Sequence, residues 1–237
     1  MIFFRIVGIC LTIIELRSDF QYNACMHVVI FTGGALQHGL AVTKSLSQFD
    51  KVIAADSGAA SAVSLKITPD VVIGDFDSID ENTVVFLKKR NTEFIRFPKE
   101  KDATDTELAI DFAVKNGATK ITVLGGAAGD RIDHVLANVF LPMQYSVPIF
   151  FVDADSVLWF ANGPKKEIIK GRSGDLLSLI PLSQIEEIKT ASLQYPLHNE
   201  TLFVGRSRGV SNMFTQKEAE IKWKSGQLFI IHTLAKA

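Results

Sequence analysis

The chain has 237 residues, of which 47% are hydrophobic and 22% are charged, a composition typical of globular domains. Its formal net charge of −1 argues against a bulk nucleic-acid partner, because such proteins usually carry a strong basic excess. Both cysteines, Cys10 and Cys25, precede residue 26, so the rest of the chain has none for an internal disulfide. We therefore predict a cytoplasmic location, where thiols stay reduced.

The first 25 residues contain a short apolar segment from Ile6 to Ile14. It falls short of the ~18–20 residues of a membrane-spanning helix, although it has the length of a signal-peptide core. Only Arg5 supplies positive side-chain charge before it, and no small-residue cleavage motif follows. We favour an appendage, such as one translated from an upstream start codon, over a secretion signal, and expect residues 1–25 to lie outside the fold.

From His27 onward, apolar runs typical of strands alternate with stretches of helical pattern. The predicted strands are 28–32, 51–55, 71–73, 94–97, 120–124 and 147–152, and the predicted helices are 35–47, 59–65, 80–90, 103–116 and 133–143. This alternation predicts an α/β domain over residues 26–153, with a mostly parallel, Rossmann-like sheet covered by helices on both faces. Ligands of such sheets bind outside the carboxyl ends of the strands.

After residue 153 the pattern changes to short apolar runs separated by turn residues, and none of these runs has a helical pattern. Such spacing is typical of an all-β sandwich or barrel. We therefore predict a second, small β-sandwich domain over residues 154–237, which is within the normal size range of domains.

Two carboxylates at the end of a predicted core strand are the first sign of chemistry. Asp75 and Asp77 follow the apolar run 71–73, and side chains two residues apart in an extended segment point to the same side. Such a pair suits Mg²⁺, which prefers oxygen ligands and commonly binds carboxylates together with substrate phosphates. The structural alternative is a turn in which Asp77 or Ser78 caps the next helix.

A second acidic cluster occurs at residues 101–107, with the sequence KDATDTE. Asp102 is a candidate N-cap of the following helix, and Asp105 is expected in its first turn, where the helix dipole favours acid. Because this cluster also falls at the ligand-binding edge of the sheet, its carboxylates are candidates for the metal site or for accepting a proton from an attacking hydroxyl.

A glycine-rich loop, GGAAGDRIDH at 125–134, connects a predicted strand to a predicted helix. Glycines let a ligand approach the backbone, helix N-termini attract anions, and the planar guanidinium of Arg131 suits phosphate oxygens. Asp133 is a candidate helix cap, and His134 is expected to pack or to cap. Acids for a metal beside this loop favour a metal-bridged polyphosphate, whose transfer depends on positioning and charge neutralisation.

In this combination and order, the sequence resembles the thiamine pyrophosphokinase family. The matching motifs are ADSGA (55–59), PDVVIGDFDSI (69–79), FPKEKDATDTELAI (97–110), LGGAAGDRIDH (124–134) and SRGVSN (207–212). The resemblance covers the chain from about residue 27. It implies an α/β ATP-binding domain followed by a β-sandwich, and transfer of diphosphate from ATP to the hydroxyl of thiamine with release of AMP. It also implies a homodimer with sites near the subunit interface.

The resemblance also assigns roles to residues. It places Mg²⁺ and the phosphates on Asp75, Asp77 and Asp105 as catalytic residues, with Asp105 either a metal ligand or the base for the hydroxyl proton. The residues expected to bind ATP or thiamine are Asp56, Ser57, Asp102, Thr104, Gly126, Arg131, Asp133, Ser211 and Asn212. Ser211 and Asn212 match the thiamine-binding stretch, for which a polar hairpin turn is the alternative.

Two positions depart from the family pattern. Asp130 stands before Arg131, where the family loop often reads GGRLDH, and it adds negative charge beside the expected phosphates. Phe229 falls near the place where some relatives carry a tryptophan that stacks on thiamine, and Trp223 aligns less well. A role in the sandwich core is the alternative for Phe229.

Three other functions fit parts of the pattern. A pyrophosphokinase of the same lineage would act on another hydroxymethyl heterocycle, such as a pterin. A nucleotide-sugar transferase of DxD type would use Asp75 and Asp77 as its metal-binding pair. A non-catalytic nucleotide-binding module would have no need for the full set of acids.

Overall fold

The computed structural model describes residues 25–34 and 36–236, so the predicted appendage lies outside the described residues apart from Cys25. The helices are α1 (Leu40–Ser45), α2 (Gly58–Ser64), α3 (Glu81–Lys88), α4 (Asp105–Lys115) and α5 (Ile132–Phe140), followed by a 3₁₀ helix at Leu141–Gln144. The first seven strands are β1 (His27–Phe31), β2 (Lys51–Ala55), β3 (Val71–Gly74), β4 (Glu93–Arg96), β5 (Lys120–Leu124), β6 (Ile149–Asp153) and β7 (Ser156–Asn162). The others are β8 (Lys165–Lys170), β9 (Leu176–Pro181), β10 (Ile185–Ala191), β11 (His198–Leu202), β12 (Asn212–Met213), β13 (Glu218–Trp223) and β14 (Gln227–Thr233). No helix in this described part combines the length and apolar character needed to span a bilayer.

One long mixed sheet runs through the described residues, in the strand order β12-β9-β14-β7-β6-β5-β1-β2-β3-β4. Its strands from β1 to β6 pair in parallel, and β7 pairs antiparallel with β6. The strand order reverses between β1 and β5, because β2 to β4 lie on one side of β1 and β5 and β6 lie on the other. Ligands of open α/β sheets bind at such a reversal.

The parallel strands are buried on both faces, which is why they read as continuous apolar runs. Side chains alternate between two layers: Val28 and Ile30 of β1 belong to the cluster that includes Ala109 of α4. Val29 and Phe31 belong to the opposite cluster, which includes residues of α1, α2 and α3. Burying each of these large side chains contributes roughly 1.5–3 kcal/mol. The two layers hold the carboxyl ends of β1, β2, β3 and β5 at one edge.

The second half of the chain forms an antiparallel β-sandwich. A four-stranded sheet, β11-β10-β13-β8 within the described residues, packs against β7, β9 and β14 of the long sheet. Leu228 and Ile230 of β14 point into the sandwich core together with Trp223. The expectation of a largely parallel α/β part followed by a β-sandwich is therefore confirmed. The proposed boundary after residue 153 falls in the turn between β6 and β7, across which the long sheet continues.

Helix α1 is shorter than the predicted 35–47. The N–H of Leu40 donates to Asp155 Oδ1 at 2.7 Å, and the N–H of Gln37 donates to Asp153 Oδ1 at 2.9 Å. These carboxylates, in and beside the β6–β7 turn, hold the segment before α1 in a non-helical conformation. Helix α5 gives way to the 3₁₀ helix at Leu141, where Pro142 has no N–H to continue the α-helical pattern.

Two helix caps differ from those predicted. Asp80, rather than Asp77 or Ser78, caps α3 by accepting a hydrogen bond from Thr83 N at 2.9 Å. Thr104, rather than Asp102, caps α4 by accepting from Glu107 N at 3.2 Å. The acids Asp77 and Asp102 therefore do not serve as caps of these helices.

Candidate nucleotide and metal site

A cavity of 460 Å³ lies where the strand order reverses. Its walls come from the loops after β1, β2 and β5 and from the start of α4. The lining residues include Gly33, Gly34, Asp56, Ser57, Thr104, Asp105, Thr106, Gly126, Ala128, Asp130, Arg131, His134 and Asn138. Several of the residues that the motifs single out in the α/β part therefore meet at one opening, whereas Asp75 and Asp77 line another cavity with Arg96 and Lys99.

Three carboxylates gather at the carboxyl ends of β2 and β3. Oxygen atoms of Asp56, Asp75 and Asp77 lie within 4.8 Å of one another. Asp75 Oδ1 also accepts a hydrogen bond from Asp77 N at 3.0 Å, which fixes the turn after β3. Asp75 and Asp77 are brought together as predicted, and Asp56, which was expected to bind the nucleotide, stands with them.

The half-buried carboxylate of Asp56 fits a cation ligand. Its Oδ1 is buried and has no hydrogen-bond partner among the described residues. An isolated buried acceptor is costly, and a divalent cation with oxygen ligands would satisfy it. Burial, together with the nearby carboxylates of Asp105 and Asp75, raises the pKa of Asp56 above its ordinary value. A positive charge at this point would reduce the repulsion between Asp56 and these two carboxylates.

Asp105 approaches this cluster from the first turn of α4. A β-carbon on Gly74 would lie 3.2 Å from Asp105 Oδ1 and 3.1 Å from the Cβ of Asp56. At this point the backbone of Gly74 is therefore the main group between the two acids. Asp105 Oδ1 also lies 2.7 Å from Lys101 Nζ. Asp105 is therefore beside the candidate metal-binding group and is paired with an ammonium group.

Asp77 is paired in the same way on the exposed side. Lys99 Nζ lies 2.6 Å from Asp77 Oδ2, and this hydrogen bond holds the pKa of Asp77 below its ordinary value. The two lysines follow β4 in the stretch that leads to α4. Sequence reasoning gave neither lysine a role, although both belong to the motif quoted above.

The glycine loop is anchored by a buried asparagine that sequence reasoning missed. Asn138 Nδ2 donates to the carbonyl of Gly126 at 3.2 Å. Gly126 has φ +74, and a β-carbon there would lie 2.9 Å from both Asn138 Nδ2 and Thr32 Oγ1. The conformation and the close approach both require glycine. A polar side chain in the otherwise apolar run 135–143 is the signal that could have identified Asn138.

Arg131 and Asp133 form an exposed ion pair at the start of α5. Arg131 Nε donates to Asp133 Oδ1 at 2.9 Å, and this guanidinium holds the pKa of Asp133 well below its usual range. The prediction that Asp133 caps the helix is wrong, because its carboxylate bonds to Arg131 instead and Arg131 occupies the cap position. The packing or capping role expected of His134 is also wrong: this residue is exposed and lines the cavity.

The remaining predicted nucleotide ligands take different positions. Ser57 lines the cavity at the start of α2, and a β-carbon on Gly33 would stand 2.7 Å from its Oγ. Thr104 lines the cavity while its hydroxyl caps α4. Asp102 is exposed and is not among the residues that line the cavity.

The SRGVSN stretch borders a second cavity, of 320 Å³, formed by Tyr195, Ser207, Arg208, Gly209, Val210 and Asn212. Asn212 is buried, donates to Tyr195 O at 2.7 Å and accepts from Tyr195 N at 3.0 Å. Ser211 N donates to Ser178 Oγ at 2.9 Å. Asn212 therefore shapes this cavity, whereas Ser211 joins the loop to β9.

Phe229 and Trp223 are both buried in the described chain. Phe229 alternates with Leu228 and Ile230, so it faces away from the sandwich core, and the core alternative for this residue is wrong. Its ring lies 5.3 Å from that of Phe140. Trp223 is in the sandwich core, and its Nε1 donates to Gly226 O at 3.2 Å.

A glycine-rich loop and a carboxylate cluster lie at the strand-order reversal of a parallel sheet that continues into a β-sandwich. This arrangement is typical of nucleotide-binding phosphotransferases. Residues 42–149 match the sequence model described as "Thiamin pyrophosphokinase, catalytic domain", and residues 165–228 match "Thiamin pyrophosphokinase, vitamin B1 binding domain". The two matches together span well over half of the chain. The chain belongs to the thiamine pyrophosphokinase family.

Individual relatives agree with this assignment. The thiamine pyrophosphokinase of Bacillus subtilis (strain 168) is 28% identical over 185 residues, which cover 76% of this chain and 86% of that protein. A crystal structure of thiamine pyrophosphokinase from Bacillus subtilis superposes with a TM-score of 0.79 at 25% identity, covering 89% of this chain and 100% of the other. The corresponding structure from Geobacillus thermodenitrificans gives a TM-score of 0.75 at 27% identity, covering 90% and 99%.

Proposed function

We propose that this protein is an ATP-dependent thiamine diphosphokinase, which transfers a diphosphate group from ATP to the hydroxyl oxygen of thiamine and releases AMP. The observation that carries this proposal is the convergence of Asp56, Asp75 and Asp77 beside the cavity at the strand-order reversal. Family membership and the names of the relatives support thiamine as the acceptor. They give no support to a nucleotide-sugar transferase.

The three carboxylates would hold Mg²⁺, with Asp105 beside them. A bound cation of this kind neutralises charge on the transferred phosphates and orients them. The acids themselves supply oxygen ligands at the edge of the sheet, and Gly126 lines the cavity in which the polyphosphate would lie. Asp105 either completes the metal site or accepts the proton of the attacking hydroxyl.

The α/β part, residues 26–153, would bind ATP in a Rossmann-like arrangement, and the β-sandwich, 154–237, would bind thiamine. The exposed guanidinium of Arg131 is available to the phosphates at the mouth of the cavity. The second cavity, which Asn212 helps to form, is the candidate acceptor site, with Ser211 next to it.

A homodimer would bring these two cavities together from different subunits. Ile132, Leu136 and Phe140 repeat every fourth residue along α5, so they share one face of the helix, and all three are exposed. Such an apolar stripe beside the nucleotide cavity supports a subunit interface there. We also propose that the protein acts in the cytoplasm, as the cysteine distribution suggests.

The test is product identification with purified protein, ATP, thiamine and Mg²⁺. We expect equal amounts of AMP and thiamine diphosphate. ADP as the product would indicate transfer of the terminal phosphate and would reject the proposal. A parallel reaction with a hydroxymethyl pterin, and one with a nucleotide sugar, separates the alternatives, because either compound turning over in place of thiamine would also reject it.

A further inference from the structure

Lys101 is the most buried cation that contacts the acidic site in the described part of the chain. Its side chain is 14% exposed, and its Nζ lies 2.7 Å from Asp105 Oδ1, whose side chain is 28% exposed. Lys99 forms a similar pair with Asp77, but the two side chains are 79% and 48% exposed. Ion pairs shielded from water interact more strongly than exposed ones. Lys101 is therefore positioned to influence the site, whereas Lys99 is largely screened.

Only two of the carboxylates around Gly74 are paired with a lysine in the described part of the chain. Of the four carboxylates near Gly74, that of Asp77 pairs with Lys99 and that of Asp105 pairs with Lys101. Asp56 and Asp75 form no ion pair within the described residues, although Arg96 lines a cavity together with Asp75, and a divalent cation would supply positive charge to both carboxylates. A cation held by Asp56, Asp75 and Asp77 that also took Asp105 as a ligand would have to share this carboxylate with Lys101 or displace the ammonium group from Oδ1.

We propose that Lys101 is an internal counter-cation of this site, with two successive partners. Without metal, its ammonium group holds Asp105 and limits the repulsion among the four carboxylates. When a metal–nucleotide complex binds, the metal replaces it at the acids and the ammonium group pairs with the polyphosphate. This inference rests on the proposed function, and it adds a residue that interacts with the nucleotide.

Because Lys101 would pair first with Asp105 and then with the polyphosphate, its removal should have opposite effects on the binding of two ligands. A purely structural role would not produce opposite effects. Replacing Lys101 with methionine removes the competitor of a metal ion, so Lys101→Met should bind free Mn²⁺ about threefold to tenfold more tightly than wild type in calorimetric titrations. The same substitution removes a phosphate partner. It should therefore weaken binding of Mn²⁺–α,β-methylene-ATP, which resists cleavage at the bond that diphosphate transfer breaks, by about tenfold.

Two variants provide matched controls. Lys101→Arg keeps the charge and should restore both affinities to within about threefold of wild type. Lys115→Met removes an exposed lysine at the far end of α4 and should change either affinity by less than about threefold. Thermal unfolding of each variant establishes that the folded state is compared.

The proposal is overturned if Lys101→Met changes both affinities in the same direction or changes neither. It is also overturned if Lys101→Met and Lys115→Met behave alike. Assaying wild type for thiamine diphosphate separates this outcome from failure of the proposed function, because wild-type turnover with unaltered Lys101→Met binding would reject only the role of Lys101.

Discussion

The backbone of Gly74 packs closely against Asp56: a β-carbon at position 74 would lie 3.1 Å from the Cβ of Asp56. The same position would lie 3.2 Å from Asp105 Oδ1, and the residue has φ +151. The glycine therefore lets two acids from different segments approach each other at the end of β3. Any side chain at this position would push them apart.

Gly74→Ala should abolish most metal binding while leaving the fold intact. The added methyl group crowds Asp56, and the backbone conformation costs an estimated 1–3 kcal/mol for a residue with a side chain. Mn²⁺ affinity and the free energy of unfolding measure the two effects. Gly117→Ala is a suitable control, because Gly117 also has positive φ but nothing lies within 4 Å of its β-carbon position. Equal metal affinity in the two variants would contradict the role given to Gly74.

Asn138→Ala should loosen the glycine loop. The substitution removes the donor to the carbonyl of Gly126 and leaves a buried acceptor unpaired, which costs about 1–3 kcal/mol. We expect the KM for ATP to rise more than the KM for thiamine, because the loop lines the cavity proposed for the nucleotide. Asn116→Ala removes an exposed asparagine that also bonds to a backbone carbonyl and serves as the control. A uniform loss of kcat in Asn138→Ala, with both KM values unchanged, would count against this interpretation.

The buried carboxylate of Asp175 ties the end of the chain to the sandwich. It accepts hydrogen bonds from Ala235 N at 2.9 Å, from His232 Nε2 at 3.0 Å and from Arg172 N at 3.1 Å. Burial opposes ionisation, but these hydrogen bonds outweigh it and hold the pKa of Asp175 below its ordinary value of 3.8. The ionised form therefore stabilises the folded state above pH 3.8, and this contribution is lost as the pH falls through the lower folded-state pKa.

Asp175→Asn should lower the free energy of unfolding at neutral pH by about 3 kcal/mol, as expected when one partner of a buried ionic network is removed. The difference from wild type should shrink only under acidic conditions, below the ordinary pKa of aspartate. Urea unfolding at pH 7 and at pH 3 measures it. Glu200→Gln, which breaks the more exposed pair with Arg208, provides a control with a small effect. A difference that stays constant between the two pH values would contradict the ionic role of Asp175.

Leu136→Lys tests the proposed subunit interface on α5. A charge in the middle of the exposed apolar stripe should dissociate a dimer without unfolding the chain, since Leu136 is 52% exposed. Light scattering coupled to size-exclusion chromatography gives the mass of each species. Val85→Lys places the same charge at another exposed apolar position, on α3, and should leave the mass unchanged. A Leu136→Lys variant with the wild-type mass would place any interface elsewhere.

The parallel strands were predictable because local signals in the sequence determine them. The apolar runs of β1, β2 and β5 lie within one residue of their predicted limits, since strands buried on both faces have hydrophobic residues at consecutive positions. The shared edge of a parallel sheet then made the meeting of Asp75 with other acids foreseeable. Asp56 lies beside Asp75 for the same reason, but from the sequence Asp56 was assigned to nucleotide binding and not to the metal site.

Contacts between distant segments account for most of the remainder. The shortened start of α1 depends on Asp153 and Asp155, more than a hundred residues away. The caps of α3 and α4 were misassigned because several adjacent residues have suitable side chains, and only the local backbone selects among them. The anchoring of the glycine loop by Asn138 and the pairing of Lys101 with Asp105 likewise depend on three-dimensional placement.

The most direct measurement is a titration of Mn²⁺ into wild type and Asp75→Asn, followed by the thiamine diphosphate assay on both. The wild-type protein should bind the ion at the carboxylates that end β2 and β3. Asp75→Asn should bind it at least about tenfold more weakly and lose orders of magnitude in turnover, with an unchanged circular dichroism spectrum. Wild-type metal affinity and wild-type turnover in Asp75→Asn would contradict the account.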